Sequence, residues 1–376
     1  QFGFSAAYPV AELDLHMPDI LAHAASVHYA LGTSAELDAR VRSWLAAVRT
    51  RARVGVLAPA TAHDVRTSIH EMRLFKDDHE LGIMRRAARI SAAAHRRAMR
   101  TSRAGVHEYE LEAELLYEFR RQGAQSPAYG SIVASGANAC VLHYPAGNAV
   151  ARDGDLILID AACELDGYAS DITRTFPANG RFTGAQRELY SIVLAAQQAA
   201  IDATRPGASY DAPHEAAVRV LSQGMLDTKL LKADETGGLD DVIEKKAYRR
   251  FYMHSTSHWI GMDVHDVGDY FEPLGATPHG SMAEQSSAAT HAGPGATSSA
   301  NVPRGDTPRA RRTLAPRMAL TIEPGIYVRA ADDVPEAFRN IGIRIEDDAV
   351  VTGTGCELLT RDVPVDIDAI EDLMKR

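Results

Sequence analysis

Two aspartates in one short stretch are placed to do chemistry together. Asp160 ends the apolar run Leu156-Ile157-Leu158-Ile159, and Asp171 follows 11 residues later in Ser170-Asp171-Ile172-Thr173-Arg174-Thr175-Phe176. Between them, Asp166-Gly167 is a turn signal joining two runs of strand type. With the turn centred on 165–166 the aspartates stand directly opposite. Centred on 166–167 they become diagonal neighbours on the same face, because strand side chains alternate with period two. Two like charges a few ångströms apart repel, and one would be pushed towards its neutral form unless a cation lay between them. The pair reads as half of a metal site.

Three later segments supply what the pair lacks. Phe251-Tyr252-Met253-His254-Ser255-Thr256-Ser257-His258-Trp259 carries two histidines four apart, and Gly261-Met262-Asp263-Val264-His265 adds a third. Glu323 closes the apolar stretch Met318-Ala319-Leu320-Thr321-Ile322, and Pro324-Gly325 behind it would hold its carboxylate beside a turn. In Ile343-Arg344-Ile345-Glu346 the isoleucines share one strand face and Arg344 and Glu346 the other. Taken singly these signals are weak, since a lone strand glutamate usually faces water. Joined to Asp160 and Asp171 they form a set, each carboxylate beside apolar residues that would bury its backbone.

The elements around these residues follow from periodicity. An amphipathic stretch near 35–49 surrounds Trp44, and a short apolar run, Val54-Gly55-Val56-Leu57, is closed by Pro59. His79–Arg100 has Ile83, Ala87, Ile90 and Ala94 at helical spacing, and Glu108–Gln122 repeats the pattern before Gly123. A strand, Ser131–Ser135, leads into a loop holding His143-Tyr144-Pro145. Thr183-x-x-Gln186 is a capping box for a helix to about Ala203, and Pro213 sits in the first turn of another. Structure resumes at Met318–Glu323, Ile326–Val328 and Ile341–Thr352, and Gly353-Thr354-Gly355 turns into a last strand and a short helix. Helix pairs interleaved with antiparallel strands predict an α+β fold. Residues 1–75 read as part of a smaller domain, and 76–376 as the main body. At 272–316 Pro, Gly, Ser, Ala and Thr dominate, with arginines at 304, 309, 311 and 312, so a mobile low-complexity insertion is expected there.

Composition narrows the function classes. The 376 residues carry a net charge of −10 and show no basic stripe in the ordered-looking parts, which argues against nucleic acid. No apolar run reaches the roughly 20 residues of a membrane span. Three cysteines with no C-x-x-C spacing support neither a disulfide framework nor a thiolate zinc site, and a cytoplasmic setting is expected. The chain opens on Gln1 rather than Met, which leaves room for a native start and a targeting segment upstream.

At this point the chain resembles the metal-dependent peptidases of the pita-bread fold, most closely the Xaa-Pro aminopeptidase (aminopeptidase P) family. The resemblance is densest at His70–Lys76, Ser135–His143, Leu156–Pro177, Met253–Gly268 and Thr321–Asp348. It implies a pita-bread catalytic domain, and metal ligands at Asp160, Asp171, His258, Glu323 and Glu346. It also implies that His143, His254 and His265 line the cleft around substrate and proton transfer, with Tyr129, Tyr327 and Arg344 supporting substrate binding. Two features depart from the pattern. Ser255 stands where the family usually has glycine, and residues 1–75 resemble only the latter part of the family's N-terminal domain.

The resemblance further implies two divalent ions, manganese foremost with zinc or cobalt as alternatives, because four carboxylates offer mostly hard oxygen. Such ions activate a water and polarise a scissile carbonyl. Glu323 would then move the proton to the leaving proline nitrogen, and His254 or His265 would donate to the oxyanion. Peptides with proline second are the expected substrates, and a homo-oligomer, dimer or tetramer, the expected assembly. Prolidase, a dipeptidase of the same fold, stays open as a second reading. Methionine aminopeptidase fits less well because it usually lacks such an N-terminal region. A metal-free pita-bread binding module, as in histone chaperones, would be expected to have lost ligand residues.

Overall fold

The computed structural model describes residues 3, 4, 6–273 and 309–375. Its chain divides into two compact units, Gln1–Met72 and Arg73–Arg376. In the first, α1 (Leu13–Leu21), β1 (Ser26–Tyr29), α2 (Ala35–Thr50) and β2 (Thr61–Asp64) lead into α3 (Val65–Leu74). Leu21, Val27, Val41, Trp44 and Val48 form its core. β1 and β2 pair in parallel. The short apolar run at 54–57 forms no strand: its first residue closes a 3₁₀ turn at Ala52–Val54 that ends on Gly55 at φ 86°. Positive φ there is open to glycine and stops an extended segment from forming.

The second unit starts with α4 (Asp78–Thr101), whose Asp77 cap accepts from Glu80 N while Glu80 reaches back to Asp77 N. That reciprocal box explains the sharp start after Lys76. α4 buries Met84, Ala87, Ala94 and Ala98 against α5 (Glu108–Arg121) and the strands beneath. There follow β3 (Ser126–Pro127), β4 (Ile132–Ser135), β5 (Leu156–Asp160), β6 (Cys163–Leu165), β7 (Tyr168–Ala169) and β8 (Thr173–Pro177). Then come α6 (Gly184–Ala203), α7 (Ala212–Asp227), α8 (Ala233–Thr236) and α9 (Leu239–Glu244). The chain closes with β9 (Ala319–Ile322), β10 (Gly325–Val328), β11 (Ile341–Arg344), β12 (Asp347–Val351), β13 (Cys356–Leu358) and α10 (Ile367–Met374).

Strand pairing in this unit is antiparallel among the described residues, in the orders β4-β5-β8, β13-β12-β9, β3-β6-β7 and β10-β11. The stretch 341–352, read as one strand, is two. β11 pairs with β10, and β12 pairs with β9 and β13. The break at Ile345-Glu346 lets one chain serve two sheets.

Most of the expected insertion, 274–308 with His279, His291 and Arg304, lies outside the described residues. Its C-terminal flank departs from expectation. Residues 311 and 313 bridge to Phe271 and Ser209, Tyr210 N and Gly207 N donate to Arg312 O and Leu314 O, and Leu314 is buried. Buried Leu314 and the backbone partners at 207–210 tie this flank into the fold, which composition alone could not register.

Candidate metal centre and active-site cavity

Register builds the site. Glu164 pairs with Ala169 and Leu165 with Tyr168, so the turn centres on Asp166-Gly167, with φ of 51° and 81°. Two successive positive φ values make the tight turn that suits a right-twisted hairpin, and Asp-Gly is its usual sequence. The same register pairs Asp160 with Thr173, leaving Asp171 two residues further along β8's line on the same face. Of the two arrangements left open by the sequence, the diagonal one is found. The Tyr129 hydroxyl lies 2.5 Å from Asp160 Oδ1 and from Asp171 Oδ1. One hydroxyl hydrogen serves two acceptors there, the mark of negative charge crowded into one place.

β9 supplies the opposite wall. Ile322 pairs with Asp347, so the next residues outward, Glu323 and Glu346, face each other across the β9–β12 ladder. On its other edge, Thr321 N donates to His258 O at 3.0 Å and Glu323 N to Thr256 O at 2.8 Å. His258 is thereby clamped beside Glu323. The two halves join where Glu346 N donates to Thr173 O and Thr173 Oγ1 donates to Glu346 Oε2 at 2.6 Å.

Asp171, His258 and Glu346 can each offer one ligand atom, all three within 4.8 Å of one another. Glu323 Oε1 is 3.7 Å and Asp171 Oδ2 3.5 Å from His258 Nε2. His258 Nδ1 sits 3.0 Å from the Trp259 carbonyl, so its hydrogen belongs there and Nε2 is turned towards the carboxylates. Of the five expected ligands, three converge and Asp160 and Glu323 adjoin them.

Charge in the site is unbalanced. Burial raises the pKa of Glu346 well above the carboxylate range, reinforced by Asp171, Glu323 and Asp160. Burial likewise lifts Glu323 to about 7 against the pull of His258 and Arg344, and raises Asp160 despite Arg344. Burial opposes the charged His258 ring, yet Asp171 and Glu323 outweigh it and hold its pKa at about 9. Oxygen ligands forced together around one imidazole nitrogen fit divalent cations, which would displace the proton that His258 carries there.

The surrounding cavity, about 1160 Å³, is lined by ten of the eleven residues singled out from the sequence: Tyr129, His143, Asp160, Asp171, His254, His258, His265, Glu323, Arg344 and Glu346. The eleventh, Tyr327, is buried beneath the wall and does not line it. Its hydroxyl donates to His254 Nε2 at 2.8 Å and accepts from Arg344 Nη1 at 2.9 Å, so it sets those two groups rather than meeting a ligand. Arg344 Nη2 also donates to Asp160 Oδ2 at 2.6 Å.

His254 is committed on both sides, because its Nδ1 lies 2.8 Å from Ser255 O. Burial drops its pKa to about 3, keeping the ring neutral. His265 has no ring hydrogen bond among the described residues; burial and the His258 charge lower its pKa too. Of the two neutral rings, His265 is the one with an N–H to spare.

Sequence reasoning missed three contributors. Thr173 ties Glu346 to Arg344, whose Nε donates to its Oγ1. Fully buried Arg174 donates to Glu346 O and to Asp347 Oδ1. Asp348 Oδ2 accepts from Asp171 N at 3.0 Å. All three lie inside the quoted motifs, but only pairing between distant strands reveals their task. Ile132, Leu142, Pro145, Val264, Tyr210 and Tyr270 add an apolar and aromatic lining, together with Arg311 from the flank of the insertion.

Comparison with known proteins agrees with this geometry. The signature of metallopeptidase family M24 matches residues 82–353. Over 374 residues the chain is 42% identical to the Xaa-Pro aminopeptidase of Escherichia coli K12, covering 100% of this chain and 76% of that protein. It is 37% identical over 374 residues to the Haemophilus influenzae Xaa-Pro aminopeptidase, covering 100% of this chain and 75% of that one. Among solved structures, aminopeptidase PepP of Pseudomonas aeruginosa superposes with a TM-score of 0.84 at 44% identity, over 100% of this chain and 76% of that one. Zinc-substituted E. coli aminopeptidase P in complex with product gives 0.82 at 42%, over 99% and 76%. The antiparallel α+β scaffold is thus the pita-bread fold expected from the motifs. With its carboxylates and histidine converging in one cavity, and the signature spanning the strands that carry them, the chain belongs to metallopeptidase family M24.

Proposed function

We propose that this chain is a dinuclear-metal Xaa-Pro aminopeptidase, which hydrolyses the bond between a free N-terminal residue and a following proline. The observation that carries the reading is the convergence of Asp171, His258 and Glu346, flanked by Asp160 and Glu323, in a chain 42% identical to an Xaa-Pro aminopeptidase. These five residues would hold two divalent ions, manganese foremost, which would supply an activated water and polarise the scissile carbonyl. Glu323 takes a proton at its carboxylate and returns it to the proline nitrogen. His265 donates its N–H to the developing oxyanion, and Arg344 and Tyr327 keep Asp160 and His254 in place. The apolar and aromatic wall reads the proline ring by shape, since an Xaa-Pro imide offers no N–H.

The same reading carries a partial N-terminal domain at 1–75, a catalytic domain at 76–376, a homo-oligomer and a reducing, cytoplasmic setting. All three cysteines are free thiols, which accords with a reducing setting. Among the described residues no helix is long and apolar enough to cross a membrane.

The test is chelation, metal analysis and manganese add-back, with turnover of Xaa-Pro-Yaa tripeptides set against Xaa-Pro dipeptides. The expected result is metal-dependent cleavage that favours the tripeptide. Preference for the dipeptide would move the chain to prolidase. No more than trace metal, and no gain on adding manganese, would sink the reading.

A further inference from the structure

A second buried carboxylate cluster lies outside the metal site. Glu108 opens α5, where an acidic side chain ordinarily reaches into water near the helix N-terminus. Here it is 1% exposed. Its Oε1 accepts from Ser135 N at 2.7 Å, Ser135 Oγ at 2.8 Å and Asn138 Nδ2 at 3.0 Å, and its Oε2 accepts from Tyr144 OH at 2.9 Å. Among the described residues no Lys or Arg pairs with it; hydrogen-bond donors do the work of a counter-ion, as a buried charge requires. These donors lie in the segment that leaves β4 and carries His143 into the active-site cavity.

The return limb of that segment is held by the same helix end. Glu108 N donates to Ala149 O and Tyr109 N to Gly147 O, both at 3.0 Å. These amides have no partner within the helix, so the loop satisfies α5 while α5 fixes the loop. Gly147 leaves no slack: a Cβ there would sit 3.1 Å from the Tyr144 hydroxyl and 3.5 Å from Glu108 Oε2. His143 itself is exposed and has no ring hydrogen bond among the described residues. Its place depends on the backbone anchored at Ser135, Asn138 and Tyr144.

We propose that Glu108 is a positioning residue for the peptidase reaction, acting through the 135–147 segment to set His143 in the cavity wall. This rests on the peptidase reading above. A residue that acts only through His143 has no effect left to exert once that side chain is gone, so the two substitutions must be non-additive.

The experiment uses the manganese-loaded full chain with Glu108→Ala, Glu108→Gln, Tyr144→Phe and His143→Ala, and the first three again on the His143→Ala background. Glu108→Ala should lower kcat/KM on the order of 10- to 100-fold, with metal content unchanged. Glu108→Gln keeps the shape and the Oε1 acceptor, so it should recover most of that loss. On the His143→Ala background, Glu108→Ala should do little more. Hydrogen exchange should speed up in 135–147 for Glu108→Ala and not for Glu108→Gln. If Glu108→Ala fails to fold, Tyr144→Phe carries the same comparison, because it removes one hydroxyl and leaves the carboxylate hydrogen-bonded. Equal fold losses on both backgrounds, or unchanged kcat/KM, would overturn the proposal. A native chain with no Xaa-Pro turnover would overturn the peptidase reading instead, and the exchange measurement would still test whether Glu108 holds the segment.

Discussion

Glu323→Gln should make the metal-free protein more stable while destroying its activity. Burial lifts the Glu323 pKa from 4.5 to about 7, even with His258 and Arg344 pulling it down. Between those values the folded chain holds a proton that the unfolded chain has released. Stability of the metal-free protein therefore falls as pH rises through about 4.5 to 7, and the loss is complete above it. At pH 8 the deficit is at most about 3.5 kcal/mol, at roughly 1.4 kcal/mol per pKa unit. Glutamine has the same shape and no charge, so the variant escapes that deficit. Over the roughly 300 residues of the larger unit, unfolding entropy is about 0.6 kcal/mol/K, so the midpoint should rise by up to roughly 6 °C at pH 8. At pH 5 the gain should shrink below about 1 kcal/mol, because the native side chain is already largely protonated. Manganese should reverse the order, stabilising the native protein at pH 8 more than the variant, since binding needs the ionised carboxylate. Turnover should drop by at least roughly two orders of magnitude. Thermal unfolding of chelated native and variant protein at the two pH values is the assay. A metal-free variant no more stable than native at pH 8 would refute the picture of a carboxylate kept charged against the cost of its burial.

Two further outcomes follow from neighbouring residues. His265→Ala should lower kcat on the order of 100-fold with metal content unchanged, as expected of a lost oxyanion donor; loss of metal instead would make it a ligand-shell residue. Arg174→Ala should destabilise by about 3–5 kcal/mol in a urea titration, because it strips a buried Asp347 of its closest cation.

Much of this site was readable because its ligands sit at strand ends beside apolar residues, a local pattern. Asp160 after Leu156–Ile159 and Glu323 before Pro324 lie as alternation requires, and Arg344 and Glu346 face the same cavity although the strand breaks between them. The helices were equally legible, since the box at Thr183 and the apolar stripe of α4 are set by neighbours in sequence. The parts that were not legible depend on distant partners. Asp348 reads as one more strand acid until its carboxylate is found on Asp171 N, 177 residues away. Glu108 reads as a helix N-terminal charge until the 135–144 segment closes over it. The parallel β1–β2 pair was missed because Ser26–Tyr29 and Thr61–Asp64 are short and polar, with no alternation to mark them.

These long-range contacts explain why the metal geometry rests on turns. A one-residue slip in a β-ladder would swing a ligand to the opposite face. The β5–β8 register is set by the positive φ values of Asp166 and Gly167, and that turn alone decides that Asp171 lies diagonal to Asp160. The β9–β12 register puts Glu323 opposite Glu346, and Pro324, with no N–H to give, marks where β9 stops. Gln197 and Arg174 hold the same junction from below through Asp347, whose carboxylate is fully buried. Charges that repel one another cannot choose this arrangement for themselves. The backbone must impose it before any cation arrives, and the residues that do so carry no chemistry of their own.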